Sequence, residues 1–294
     1  MAEKKALFLY SDATGRGQVN KKLDYVLASL RDVFSTLDVH KTVSMEEGME
    51  MAQKACGVYD ALIFSGGDGT FHHIINALAG HTNIPTLGYL NGGTIGDIGP
   101  NFGINRNLKR SLRIIKEGYT CGFDLGKIGD TYFAYVAAIG AYADIPYVTK
   151  RIHKKRLGRI AYYFKAIGDA FRLKAIPVHI EADGHVYDLK VPFLLCLNGK
   201  NVGGFRVNTS SSRIHDGVFE LYLTKPGLFN GLLHYLFFKT RTIKLRAASF
   251  DIQIDYPLPW DLDGEAAMEG SIHIDAVESN MRIFCAKKYA EPKQ

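Results

Sequence analysis

Gly66-Gly67-Asp68-Gly69-Thr70 stands directly after an apolar run, Ala61-Leu62-Ile63-Phe64-Ser65, and directly before a helical pattern that starts at Phe71 and reaches Leu78. Glycines at a strand-to-helix turn let bare backbone approach a ligand. The helix that follows offers unpaired N–H groups and the positive end of its dipole to phosphate oxygens. Asp68 is acidic inside this anion-friendly loop, which makes sense where a divalent cation sits between it and the phosphates; in an empty turn it serves as a cap or Asx-turn former. Alone, the loop is equally compatible with a tight turn and nothing more.

Asn91-Gly92-Gly93-Thr94-Ile95-Gly96-Asp97 follows a second apolar run, 84–90, so a second glycine-rich turn leaves the same edge of the inferred sheet. Loops at the carboxyl ends of adjacent parallel strands face one crevice. Far downstream, Asp261-Leu262-Asp263-Gly264-Glu265 gathers three carboxylates. Asp-Gly is a favoured hairpin dipeptide, so a solvated turn competes here with an acidic site. His72 and His73 read equally as nucleotide contacts and as ordinary first-turn helix residues.

Taken in order, these segments resemble the catalytic domain of the diacylglycerol-kinase superfamily, which includes soluble bacterial diacylglycerol kinases and eukaryotic sphingosine and ceramide kinases. Thr42, ahead of an acidic amphipathic helix over 45–55, stands where the family places a nucleotide-contacting threonine. Lys155-Arg156-Leu157-Gly158-Arg159-Ile160-Ala161-Tyr162 looks like the family's basic-glycine-alanine-tyrosine helix. Asn198-Gly199, Gly203-Gly204-Phe205 and Asp216-Gly217-Val218-Phe219-Glu220-Leu221 resemble its central run. The chain departs from the family at Ser11-Asp12, which replaces an Asn-Pro pair, and at Gly96, which replaces the Asn before Asp97. Both changes remove a side-chain amide near the expected nucleotide.

The resemblance implies an ATP-dependent lipid kinase that moves the γ-phosphoryl group to a hydroxyl of diacylglycerol, a sphingoid base or another lipid alcohol. It implies a phosphate cradle from Gly66, Gly67, Asp68, Gly69 and Thr70, closed by Gly93 and Thr94, with Thr42 near the adenosine. Asp68 and Asp97 would hold or orient Mg²⁺. Glu265 is the implied base and Asp263 a metal ligand or partner, and carboxylates this close titrate as a pair. Asp216, with the backbone carbonyls of Arg213 and Val218, is implied to bind a structural Mg²⁺.

Over the first 120 or so residues, apolar strand-like runs alternate with amphipathic helices: 19–34, 45–55, 71–78 and 108–116 between strands at 6–10, 37–43, 61–64 and 84–90. That rhythm predicts an α/β domain, 1–122, with a parallel sheet covered on both faces, which the resemblance makes NAD-kinase- or phosphofructokinase-like. After Gly122 strand-like segments dominate, among them 132–139, 185–192, 193–198, 219–223, 243–248, 250–255 and 271–276. They predict a mainly antiparallel β domain, 123–294, a sandwich or open barrel interrupted by a helix at 159–171.

The chain has 294 residues, 47% of them hydrophobic, and a net charge of +6. No apolar stretch approaches the ~20 residues of a transmembrane helix. Cys56, Cys121, Cys196 and Cys285 lack metal-ligand spacing, which fits reduced, mostly buried thiols in a cytoplasmic protein. The basic run 150–159 is either a solvated helix end or a contact for anionic lipid, worth ~1 kcal/mol per Lys or Arg near such a surface. Nucleic acid is not an expected partner, because no aromatic stacking pattern accompanies the charge. The apolar stretch 228–238, with a basic flank, is a buried helix or a shallow membrane contact. A homodimer stays open, as do two other functions: an NAD-kinase-like small-molecule kinase and a non-catalytic lipid- or nucleotide-binding relative.

Overall fold

The structure, a computed structural model, describes residues 3–12, 19–93, 96–140, 175–199, 201–202, 205–206, 214–224 and 242–291. The chain divides into two compact units, Met1–Phe123 with Glu278–Gln294, and Asp124–Val277.

The first unit opens with β1 (Lys5–Tyr10), α1 (Leu23–Arg31), β2 (Thr36–Lys41), α2 (Met45–Lys54), β3 (Ala61–Gly66), α3 (Asp68–Leu78), β4 (Thr86–Asn91), α4 (Leu108–Glu117) and β5 (Thr120–Gly122). β1 pairs in parallel with β2 and β3, and β3 in parallel with β4. Every residue of β3 is buried, as an interior strand with both faces covered demands. Ser44 caps α2 by accepting from Glu47 N (3.1 Å), which fixes where the chain leaves Thr42. Right-handed crossovers put α1 and α2 on opposite faces, because the chain moves one way from β1 to β2 and the other way from β2 to β3. That reversal makes the carboxyl ends of β1 and β3 a topological switch point, the place where open α/β sheets bind ligands.

Residues 278–294, which the sequence reading assigned to the second domain, pack with the first. Their strand, Arg282–Phe284, lies between β4 and β5 in the first sheet.

The second unit contains two six-stranded sheets, both antiparallel. Its elements are β6 (Leu125–Ile128), β7 (Thr131–Phe133), β8 (Val136–Gly140), β9 (Ile176–Ala182), β10 (His185–Val191), β11 (Phe193–Leu197), β12 (Asn201–Val202), β13 (Phe205–Arg206), β14 (Phe219–Thr224), β15 (Thr242–Ala247), β16 (Ser249–Ile254), β17 (Pro259–Leu262), β18 (Glu265–Glu269) and β19 (Ile272–Val277). One sheet runs β10-β9-β16-β19-β6-β7 and the other β15-β14-β11-β8-β17-β18. Alternate residues of both, such as Ile180, Phe250 and Ile274 from the first and Leu194, Phe219 and Trp260 from the second, close one dry core. This is the antiparallel sandwich that the alternating pattern predicts. The helix expected at 159–171, the basic run 150–159 and the apolar stretch 228–238 lie outside the described residues.

The sequence suggests one strand over 132–139, whereas β7 stops at Phe133 and β8 starts at Val136. Ala134 and Tyr135 interrupt it because their N–H groups bond to the Asp263 carboxylate and the Ala134 carbonyl to the Asn198 amide instead of to a neighbouring strand.

Candidate active site

In the first unit the two glycine-rich loops touch backbone to backbone. Gly92 N donates to Gly66 O (2.8 Å). A Cβ on Gly93 would come within 2.9 Å of Gly67 Cα, and one on Gly67 within 3.2 Å of Gly93 Cα, so neither position admits a side chain without movement. α3 begins at Asp68 with Gly67 as its N-cap, and no side chain caps it. Gly67 has no side chain with which to cap that first turn, the arrangement that suits an anion.

Asp68 is the stitch between the loops. Its Oδ2 accepts from Gly96 N (2.9 Å) and Asp97 N (3.2 Å), and its Oδ1 lies 3.4 Å from Ile98 N. Asp97 is buried. Beneath both loops Phe64, Phe71, Tyr89, Phe102 and Phe123 form a ring cluster, in which Phe71 and Tyr89 meet edge to face at 5.2 Å. Among the described residues the Tyr89 hydroxyl has no hydrogen-bond partner. Burial first, and then the Asp68 carboxylate, push its pKa well above the ordinary phenol value.

Thr42 sits half-buried past the end of β2, its N–H donating to Tyr10 O (2.8 Å), on the same sheet edge as the glycine loops. The amides lost in the two departures are balanced nearby. Asn20 Nδ2 donates to Asp12 Oδ1 (2.9 Å), and Asn91 Oδ1 accepts from Gly93 N (3.1 Å) inside the second loop. His72 is buried on α3 and stacks edge-on with His73. Thr94 lies outside the described residues.

In the second unit the motif residues form a buried polar framework. Asp263 and Gly264 are the two turn residues of the β17–β18 hairpin, with φ +55° and +91°. The Asp263 carboxylate accepts from three consecutive backbone amides: Ala134 (2.6 Å), Tyr135 (2.9 Å) and Val136 (3.1 Å). Asn198 takes the complementary groups, its Nδ2 donating to Ala134 O (3.1 Å) and Asp124 O (2.7 Å) and its N–H to Tyr135 O (2.9 Å). Asp124, almost fully buried, accepts from the amides of Asp216 (2.9 Å) and Gly217 (2.8 Å) and pairs with His215. Glu265 is half-buried at the start of β18, opposite Leu262.

Residues 5–128 match the sequence family of the diacylglycerol kinase catalytic domain. By sequence that stretch is a diacylglycerol kinase catalytic domain. Curated diacylglycerol kinases from Staphylococcus aureus (strain MRSA252) and Staphylococcus carnosus are 27% and 26% identical, the alignments covering 96% and 97% of this chain and 92% and 96% of those proteins. A crystal structure of a Bacillus anthracis diacylglycerol kinase, 20% identical, superposes with a TM-score of 0.77 over 99% of this chain and all of the other. Another Bacillus anthracis chain, 22% identical, reaches 0.85 over 98% and 99%, a likeness of fold.

The sequence reading expects magnesium at two places in this chain, the glycine-rich loops and Asp216. Mg²⁺ in phosphoryl transfer is held by one or two carboxylates together with substrate phosphates. Asp68 and Asp97, beside the unpartnered Tyr89 hydroxyl, suit that need. At the structural site expected at Asp216, the carboxylate is paired with an arginine in this structure. Its Oδ2 lies 2.7 Å from Arg246 Nη2, so a guanidinium already neutralises the carboxylate. Among the described residues no three His, Cys, Asp or Glu side chains gather as a metal set. Val218 is half-buried beside this pair, and Arg213 lies outside the described residues.

Asp124 and Arg246 escaped the sequence reading, whereas Asn91 and Asn198 entered it only as members of the second loop and of the family's central run.

Proposed function

We propose that this kinase transfers the γ-phosphoryl group of ATP to a hydroxyl of a lipid alcohol such as diacylglycerol or a sphingoid base. The observation that carries the reading is the bare contact of Gly67 with Gly93 at the start of α3, stitched by Asp68, in a chain with a diacylglycerol kinase catalytic domain. Phosphoryl transfer asks mainly for positioning and charge stabilisation. The amides of Gly66 to Thr70 and of Gly93 bind the phosphates, Thr94 closes the loop, and Thr42 borders the adenosine. Asp68 and Asp97 are the side chains that would hold Mg²⁺, which when bound spreads the charge developing on the phosphoryl oxygens. Glu265 orients and deprotonates the acceptor hydroxyl.

No helix of the described residues is long and apolar enough to cross a membrane. In this reading the lipid is met at a membrane surface, where the basic run 150–159 would supply attraction to anionic headgroups. The test is transfer from radiolabelled ATP to a panel of lipid alcohols in mixed micelles, with NAD as control. Label on a lipid supports the reading. Label on NAD alone would move the chain to the small-molecule kinases, and no transfer to either would leave a binding protein.

A further inference from the structure

We infer that Asp263 is a positioning residue: its carboxylate grips the backbone of Ala134, Tyr135 and Val136 and so fixes the hairpin turn from which Glu265 acts. The inference rests on the proposed role of Glu265 as base and removes Asp263 from the metal and from the proton transfer.

Three observations carry it. Both Asp263 oxygens are engaged by N–H groups at 2.6–3.1 Å, and the residue is 2% exposed. Mg²⁺ binds octahedrally and keeps several waters, and a carboxylate 2% exposed meets little of that water. Asp263 also adopts φ +55°, a left-handed conformation that aspartate tolerates better than most residues.

The grip is two-sided. Asp263 N donates to Val136 O (2.9 Å), Asp261 Oδ1 accepts from Gly264 N (2.7 Å), and Asn198 holds the carbonyls of Ala134 and Tyr135 from the other side. The gap between β7 and β8 therefore presents two amides, and the start of β8 a third, to one carboxylate. Leu262 and Glu265 face each other across the turn, so the position of Glu265 is set by this anchor. A solvated hairpin tip needs no such anchor. A base displaced by about 1 Å can cost ~10²-fold in rate.

The test compares Asp263→Asn, Glu265→Gln and the double variant on a dispersed short-chain acceptor, with hydrogen exchange at amides 134–136. Asp263→Asn keeps the shape and puts an amide group against N–H donors. It should lower kcat ~10²-fold, leave the ATP KM and the Mg²⁺ half-saturation within about twofold, and deprotect amides 134–136. The double variant should be no slower than Glu265→Gln by more than about threefold, because a residue acting through Glu265 has nothing left to position. A tenfold rise in Mg²⁺ half-saturation with the amides still protected, or losses that multiply in the double variant, would overturn positioning while leaving the base. Full activity in Glu265→Gln would overturn the base assignment itself. Should Asp263→Asn fail to fold, Gly264→Val, which strains the same turn at φ +91° without touching the carboxylate, should reproduce the kcat-selective loss; wild-type kcat in that variant would overturn the inference.

Discussion

Asn91 and Gly96 compete for one volume. A Cβ on Gly96 would sit 2.5 Å from Asn91 Nδ2, and Gly96 has φ +71°, so the second loop closes only because the amide stands on residue 91 and nothing stands on residue 96. Gly96→Asn should therefore lower Tm and raise the ATP KM, whereas the double variant Asn91→Gly/Gly96→Asn should recover much of both. The recovery is read as a coupling of about 1 kcal/mol or more in a double-mutant cycle. Strictly additive effects would show that the two residues do not share that space.

Asp68→Asn removes charge and places an NH₂ group among the amide donors of Gly96, Asp97 and Ile98. Transfer should fall by ~10²-fold or more and Tm by a few degrees, since an unmatched buried donor costs ~1–3 kcal/mol. A loss of activity below tenfold would remove Asp68 from the phosphate site.

Arg246 acts as the built-in counter-ion of Asp216, at 2.7 Å. Thermal scans in EDTA and in Mg²⁺ should then shift wild type and Asp216→Ala alike, and Arg246→Gln should lower Tm in both media. Stabilisation by Mg²⁺ in wild type that is absent from Asp216→Ala would restore the structural cation, as mass action requires of a ligand bound only to the native state.

His273 bridges Asp251 (2.7 Å) and Asp275 (2.9 Å) on the face of its sheet. The hydrogen bond to Asp251 is the largest cause raising its pKa above 6.5, opposed by slight burial and reinforced by Asp275. A raised folded-state value means that the stabilisation is whole below 6.5 and is lost as pH climbs through the folded value. Wild-type Tm should decline across that window more than Tm of His273→Gln. The groups are about half exposed, so the difference should be no more than ~2 °C. Parallel curves would show that the bridge contributes nothing.

Local features were the legible ones. The glycine loops were found because a strand-to-helix turn with bare backbone has a local signature, and β3 because six consecutive buried residues read as an apolar run. Asp124 was not found, for a single carboxylate ahead of β6 looks like any loop residue until the amides of Asp216 and Gly217 arrive from 92 and 93 positions away. The hairpin reading of Asp263-Gly264 correctly gave the turn and missed its burial, since burial is set by Ala134 to Val136, far off in sequence. Arg282–Phe284 is too short to show a period, so its membership in the first sheet depended on partners the sequence does not name.

That strand carries a consequence for synthesis. Val277 pairs with Leu125, so the second unit begins and ends at neighbouring positions, as an insertion into the first does. Residues 124–277 can assemble while the first sheet still lacks an interior strand, which arrives only when residues 282–284 leave the ribosome. Until then β4 offers an open edge. Trimming the chain before residue 282 would therefore remove an inner strand of the first sheet and not a loose tail.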